Sequence, residues 1–290
     1  MAYSSPLETL RRGDEPRFGA KSANLGELLA AKIPVPPGFA IAAGADESVF
    51  SDIAGHYRQL GDDPPVAVRS SAVGEDSAEA TFAGQYESYL WVHGAEAICD
   101  AVRRCWASAS STRASAYRER LGGGAVEMGV TVQLMVDAAV AGVMFTCNPA
   151  SGDRSMVAIN ASWGLGLAVV GGEVNPDDYL VSKVTGEILR EQRGSKAIEY
   201  IAGAVRRDVP PDRRDAPCLT PEQIAELVDL ARRVERHFGG PQDIEWALDG
   251  EGNPFVLQTR PVTGLKKRER GTVATDAMSL VMKQFGANAK

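Results

Sequence analysis

Histidine and cysteine are both scarce in this chain of 290 residues, three of the first and four of the second. Cys99, Cys105, Cys147 and Cys218 form no CxxC pair and no Cys/His cluster. The usual zinc patterns are thereby excluded, and free thiols in a reducing compartment are the plain reading. No run reaches the roughly 18 apolar residues of a membrane span. The opening "MAYSSPLETLRRGDEPRFG" lacks the apolar stretch of a secretory signal. Basic excess is missing too: a net charge of −7 and a pI near 5.2 argue against general nucleic-acid or anionic-membrane binding. The expectation is a soluble, cytoplasmic protein. Repeats and low-complexity tracts are absent, and "SWGLGLAVVGG" has Val169 where a dinucleotide fingerprint needs its third glycine.

What is present is a core. At 44% hydrophobic residues the chain supports one large domain or two lobes of ordinary size. "GAKSANLGELLAAKI" has helical spacing at Ala23, Leu25, Leu28, Leu29 and Ile33, and "PVPPGFAIA" stops it. Further helices are predicted over Asp46 to Leu60 and Ala95 to Arg120. "PPVAVRSS", "YESYLWV", "AVEMGVTVQLMVD", "AVAGVMFTCNP" and "SMVAINASW" read as strands. "DDYLVSKVTGEILREQRG" reads as a hairpin turning at Thr185-Gly186, and Gly203 to Pro217 as an exposed loop. The clearest helix is "TPEQIAELVDLARRVERHFGG", with Thr220 as N-cap, Pro221 in first position and Gly239 at its end. "QDIEWALDGEGNPFVLQTRPV" then reads as two strands around a tight Asp249-Gly250 turn. The pattern is mixed, its middle and end mostly antiparallel, without regular βαβ alternation.

Three features can hold a phosphate. "RFGAKS" puts Lys21 and Ser22 at a helix N-terminus, where backbone amides and the helix dipole favour anions. It is not a P-loop, and a solvated surface lysine is the alternative. "AVRSSAVGEDSAEATFAGQYESYLWV" sets Arg69 at the mouth of a soft loop whose amides can approach a polyphosphate. The alternative there is a flexible loop with Arg69 paired to Asp76 or Glu79. In the terminal hairpin Gln258 and Arg260 share a face, which Glu245 joins if the turn folds at Asp249-Gly250. A carboxylate and an amide oxygen suit magnesium, and an arginine suits a transferring phosphoryl group.

Taken in order, "GAKSANLGELLAAKIPVPPGFAI", "VAVRSSAVGEDSAEATFAGQYESYL", "VQLMVDAAVAGVMFTCNPASG", "INASWGLG", "VNPDDYLVSK" and "DIEWALDGEGNPFVLQTRPVT" resemble one family. It is the N-terminal nucleotide-binding domain of the phosphoenolpyruvate synthase, pyruvate phosphate dikinase and rifampin phosphotransferase family. The resemblance implies an α+β, ATP-grasp-like fold of two lobes with mainly antiparallel sheets, over residues 1–265, followed by a basic tail with a short helix over 266–290. It implies ATP and magnesium as cofactors. Lys21, Arg69 and Arg260 would act on the phosphates. The loop from Ser70 to Gln85, with Thr81 and Gly84, would cover them. Gln133, Met135 and Val136 would meet the adenine, and Glu245 and Gln258 would hold the metal. The family commonly has an acidic residue after Gly-Leu-Gly; Leu167 stands there instead.

Family members continue into a domain whose histidine carries the phosphoryl group, and His56, His93 and His237 lie in no such context. The chain therefore reads as the ATP-binding subunit of a split dikinase-type phosphotransferase. ATP would be cleaved to AMP, with pyrophosphoryl passing to a partner's histidine; one phosphate would then be lost and the other would reach a small-molecule acceptor. The alternatives are a self-contained small-molecule kinase or ligase, and an ATP-sensing module.

Overall fold

The computed structural model describes residues 2–73, 88–108 and 128–262. Thirteen strands among them form two larger antiparallel sheets and one small one. The first sheet has the order β1-β2-β5-β3-β4, from Ser4–Pro6, Gly38–Ile41, Met128–Leu134, Val66–Ala72 and Ser88–Val92 respectively. The second has the order β13-β12-β6-β7-β8-β9. Its hairpins are β6 Ala138–Phe145 with β7 Met156–Trp163, β8 Asp177–Ser182 with β9 Ile188–Gln192, and β12 Gln242–Asp249 with β13 Pro254–Pro261. β10 Ile198–Ile201 and β11 Val205–Asp208 pair with each other. Four helices longer than two turns are described: α1 Ala20–Ala30, α2 Phe50–Leu60, α3 Ala95–Ser108 and α4 Pro221–Phe238.

Alternation gives each large sheet one greasy face. In the first, Phe39, Ile41, Val66, Val68, Val130 and Val132 pack on Ile53 and Tyr57 of α2 and Ile98 and Val102 of α3. In the second, Met144, Ile159, Tyr179, Ile244 and Trp246 join a core with Leu227, Ala231 and Val234 of α4. Leu25 and Leu28 of α1 enter that same core, so α1 is the wedge between the lobes. α1 also covers part of the opposite face of the first sheet, where Ser22 meets Thr131.

The sequence cues hold where they are local. Thr220 and Gln223 exchange side-chain-to-backbone bonds in a capping box, Pro221 opens α4 and Gly239 ends it in a left-handed conformation. The hairpin at Thr185-Gly186 is present, with Gly186 at φ +75°. Two readings need correction. Gly203 to Pro217 is not all loop: Val205–Asp208 is a strand and Pro211–Arg214 a single helical turn. The strand is exposed throughout, so "VRRD" shows no apolar alternation to betray it. Nor is the last hairpin a tight Asp-Gly turn. The Asp249 carboxylate accepts from the amides of Glu251 and Asn253, and the loop closes from the Asp249 amide to the Asn253 carbonyl. Of the predicted helix Ala95 to Arg120, the part beyond Ser108 lies outside the described residues, as does the tail over 266–290.

The second lobe is tied by a fully buried ion pair. Lys196 Nζ lies 2.5 Å from Asp177 Oδ1, with neither side chain exposed. Asp177 also accepts from the amides of Gly194 and Cys218, and Lys196 donates to the Gly194 carbonyl. Burial and the neighbouring Asp177 push the Cys218 thiol well above its ordinary range, so it stays protonated. Removing one partner leaves an uncompensated buried charge, which costs about 3–5 kcal/mol. Lys196→Met should therefore lower unfolding free energy by that amount, read as a fall in denaturant midpoint at unchanged slope.

Candidate active site

Gly19 sets the first contact. It has φ +77°, and a Cβ there would sit 2.1 Å from the Ser71 carbonyl oxygen, so only glycine fits. This close approach packs the N-terminus of α1, with Lys21, against the end of β3, which carries Arg69. The Ser22 amide reaches Ser71 Oγ at 3.4 Å, and Ser22 Oγ meets Thr131 Oγ1 at 2.7 Å. Two of the three phosphate-binding features, about fifty residues apart in sequence, thus become neighbours.

The third comes from the β12–β13 hairpin. Glu245 stands directly opposite Gln258, and Asp243 opposite Arg260, so all four project from one face. The register shifts after Glu245, leaving Leu257 as an extra residue on β13. This bulge turns both Leu257 and Gln258 toward the cleft. Glu245 reaches the predicted side, by a longer loop and a bulge together.

Arg69 joins the sheets. Its Nη1 donates to the Leu257 carbonyl at 3.3 Å and lies 3.7 Å from Glu245 Oε2. The two side chains keep 15% and 29% exposure, and the ion pair is longer than a hydrogen bond. Arg260 is held more firmly, with Nε and Nη2 at 2.8 and 2.7 Å from Asp243 Oδ2. Burial pushes the Asp243 carboxyl up from its ordinary range, and the Arg260 guanidinium offsets this only in part.

These faces line one open cleft, with room for about 160 Å³ of solvent. Its polar end holds Arg69, Ser88, Glu245 and Gln258. Its other walls are hydrocarbon: Leu90, Met135 and Val136 on one side, Ala141, Leu165 and Leu167 on the other. Gln133 also lines it, buried, with its Nε2 3.4 Å from the Pro36 carbonyl. Of the predicted site residues, Arg69, Gln133, Met135, Val136, Glu245 and Gln258 meet in this one cleft. Lys21 and Arg260 are not among the residues that line it. Thr81 and Gly84 lie outside the described residues, as do Asp76 and Glu79, the alternative partners for Arg69.

Sequence reasoning missed Asp243, although an acid two residues before Glu245, on the same strand face, was a usable signal. Leu167 lines the cleft where the family commonly has an acid, so that wall is apolar. The histidines are engaged elsewhere. His56 stacks on Phe39, His93 Nδ1 is 3.0 Å from the Asp63 carbonyl, and His237 Nε2 is 2.9 Å from Glu27. Among the described residues no group of three or more His, Cys, Asp or Glu side chains gathers as a metal centre, and no helix is long and apolar enough to cross a membrane. The adjacent Glu245 and Gln258 nevertheless fit magnesium, which takes one or two protein oxygens and fills its shell with water and phosphate.

Comparison with known proteins gives a match to the family model described as pyruvate phosphate dikinase, AMP/ATP-binding domain, over residues 45–280. A probable phosphoenolpyruvate synthase of Methanothermobacter thermautotrophicus is 37% identical, over 99% of this chain and 50% of its own length. The prodigiosin synthesizing transferase PigC of Serratia marcescens is also 37% identical, over 85% of this chain and 32% of its own length. A dinucleotide-forming acetyl-coenzyme A synthetase of Ca. Korarchaeum cryptofilum superposes with TM-score 0.46 at 12% identity, covering 84% of this chain and 92% of that one. The chain spans about half the length of the phosphoenolpyruvate synthases it matches.

Charge-assisted hydrogen bonds contribute about 1.5–3 kcal/mol, so Arg69→Ala should weaken ATP binding roughly ten- to a hundredfold in calorimetric titration. Glu245→Ala should act differently. Affinity for ATP without metal should stay within about threefold, while the gain on adding magnesium should disappear.

Proposed function

The chain belongs to the pyruvate phosphate dikinase AMP/ATP-binding domain family, and on that premise we propose that it is the ATP-binding component of a dikinase-type phosphotransferase. One observation carries the reading: an apolar slot and a cation-and-carboxylate end share a single cleft. The slot suits a purine, and the other end suits magnesium-bound phosphates.

In this reading the nucleotide lies in an ATP-grasp-like cleft, with its base among Gln133, Met135 and Val136. Glu245 and Gln258 hold magnesium, whose bound charge offsets that of the phosphates. Lys21, Arg69 and Arg260 supply fixed positive charge where negative charge accumulates. Phosphoryl transfer asks little covalent chemistry of the protein, so positioning and charge neutralisation are the catalytic work. The open Arg69–Glu245 pair fits this role: each group can exchange its partner for phosphate or metal without losing a tight bond.

Relatives named for phosphoenolpyruvate synthesis and for prodigiosin synthesis resemble this chain equally well, at 37% identity. That supports placing the choice of acceptor outside these residues. We assign the phosphocarrier histidine, and the site for a small-molecule acceptor, to a partner subunit or to a further segment. None of His56, His93 and His237 lines the cleft.

The test is product analysis with β- and γ-labelled ATP and magnesium, with and without extract of the source cells. The purified chain should bind ATP without net turnover. Extract should yield AMP, with label on a protein in the acid-labile, base-stable form of a phosphohistidine. ADP formed by the purified chain with a small-molecule acceptor would overturn this assignment in favour of a self-contained kinase.

A further inference from the structure

The second sheet carries a polar row that runs past the edge of the cleft. At the level of Glu245 the register reads Gln258, Glu245, Val143, Asn160, Asp178, Gln192 across six strands. Directly opposed residues share a face, so all six project on the cleft side. Their chain neighbours Met144, Ile159, Tyr179 and Ile244 are in the core. Val143 alone breaks the polarity. The row beside it reads Arg260, Asp243, Phe145, Ala158, Leu180, Arg190, charged toward both edges and apolar over the three middle strands.

Asn160 is two strands from Glu245, about 10 Å between Cα atoms at ordinary strand spacing. That is too far for direct contact. The intervening side chain, Val143, is short and offers no hydrogen bond, which leaves room for a cation and the phosphate oxygens it carries. The Asn160 amide is already oriented. Its Nδ2 donates to Asp178 Oδ2 at 3.2 Å, on the side away from Glu245. Asp178 is in turn gripped through Oδ1 by Nε and Nη2 of Arg190, at 2.9 and 2.6 Å. With its nitrogen committed to β8, the planar amide presents its oxygen on the other side. A carboxamide oxygen is a hard ligand of the kind divalent cations take.

We propose that Asn160 is a further ligand-binding residue, its carboxamide oxygen taking a divalent cation carried by the distal phosphates of the bound nucleotide. Asp178 and Arg190 are positioning residues that fix the amide. The proposal rests on the reading of the cleft as an ATP site and extends it toward the end of the nucleotide that leaves. A merely structural asparagine, bridging β7 to β8, would affect all ligands alike.

The experiment measures binding of manganese with ATP, by electron paramagnetic resonance of the free ion, against binding of AMP, using the full chain. Asn160→Ala should weaken manganese–ATP binding about tenfold and leave AMP, which lacks the distal phosphates, within twofold. Asp178→Asn, which leaves Asn160 in place but frees its amide to turn, should lose about threefold for manganese–ATP alone, and it decides the matter if Asn160→Ala does not fold. Parental manganese–ATP affinity in these variants, or equal losses for AMP and manganese–ATP, would overturn the proposal. Failure of the parent itself to bind manganese–ATP would overturn the ATP reading, a result distinct from either of those.

Discussion

The guanidinium of Arg69 is where the two sheets meet, and the site depends on that crossing. Each sheet commits one face to its own helices, so its charged residues must stand on the other. The remaining face of the first sheet is partly covered by α1, and where it meets the remaining face of the second sheet its charges are partly buried. Arg69 on the first face is answered by Glu245 and by the Leu257 carbonyl on the second. A half-buried cation needs such partners, yet a separation of 3.7 Å in a partly wet cleft holds it only loosely. The arrangement suits a binding site better than a strut.

The struts lie elsewhere and have a different character. Asp177 with Lys196 is fully buried, short and bonded to backbone on both sides. Lys183 donates to the Thr146 and Arg154 carbonyls and pairs with Glu235 of α4. Glu199, buried, accepts from Arg207 at 2.9 Å. Buried pairs such as Asp177–Lys196 contribute little net stability but make wrong arrangements costly, because any misplacement strands a charge. They fix the turns and crossings behind the second sheet, which lets its front face carry chemistry without moving.

Leu167 shows how far a family pattern reaches. The acidic residue common after Gly-Leu-Gly is absent, and the cleft wall there is hydrocarbon from Leu165 to Val170. Leu167 offers no hydrogen bond or charge from that position. The cation-and-carboxylate end is untouched by the change.

The sequence by itself determined what is local. Helix α4 was legible to its caps, because a capping threonine, a first-turn proline and a left-handed glycine each act within a few residues. Strand faces were legible because alternation is a property of a single strand, which is why Gln258 and Arg260 could be placed together. The exposed strand Val205–Asp208 was not, since a strand with no buried face leaves no pattern. Tertiary structure alone decided which strands lie side by side. It opposed Asp243 to Arg260, set the bulge at Leu257, drew Gly19 onto Ser71 and lined up Asn160 with Glu245. Periodicity fixes the direction of a side chain from its own backbone, whereas neighbours across a sheet are chosen by packing over the whole chain.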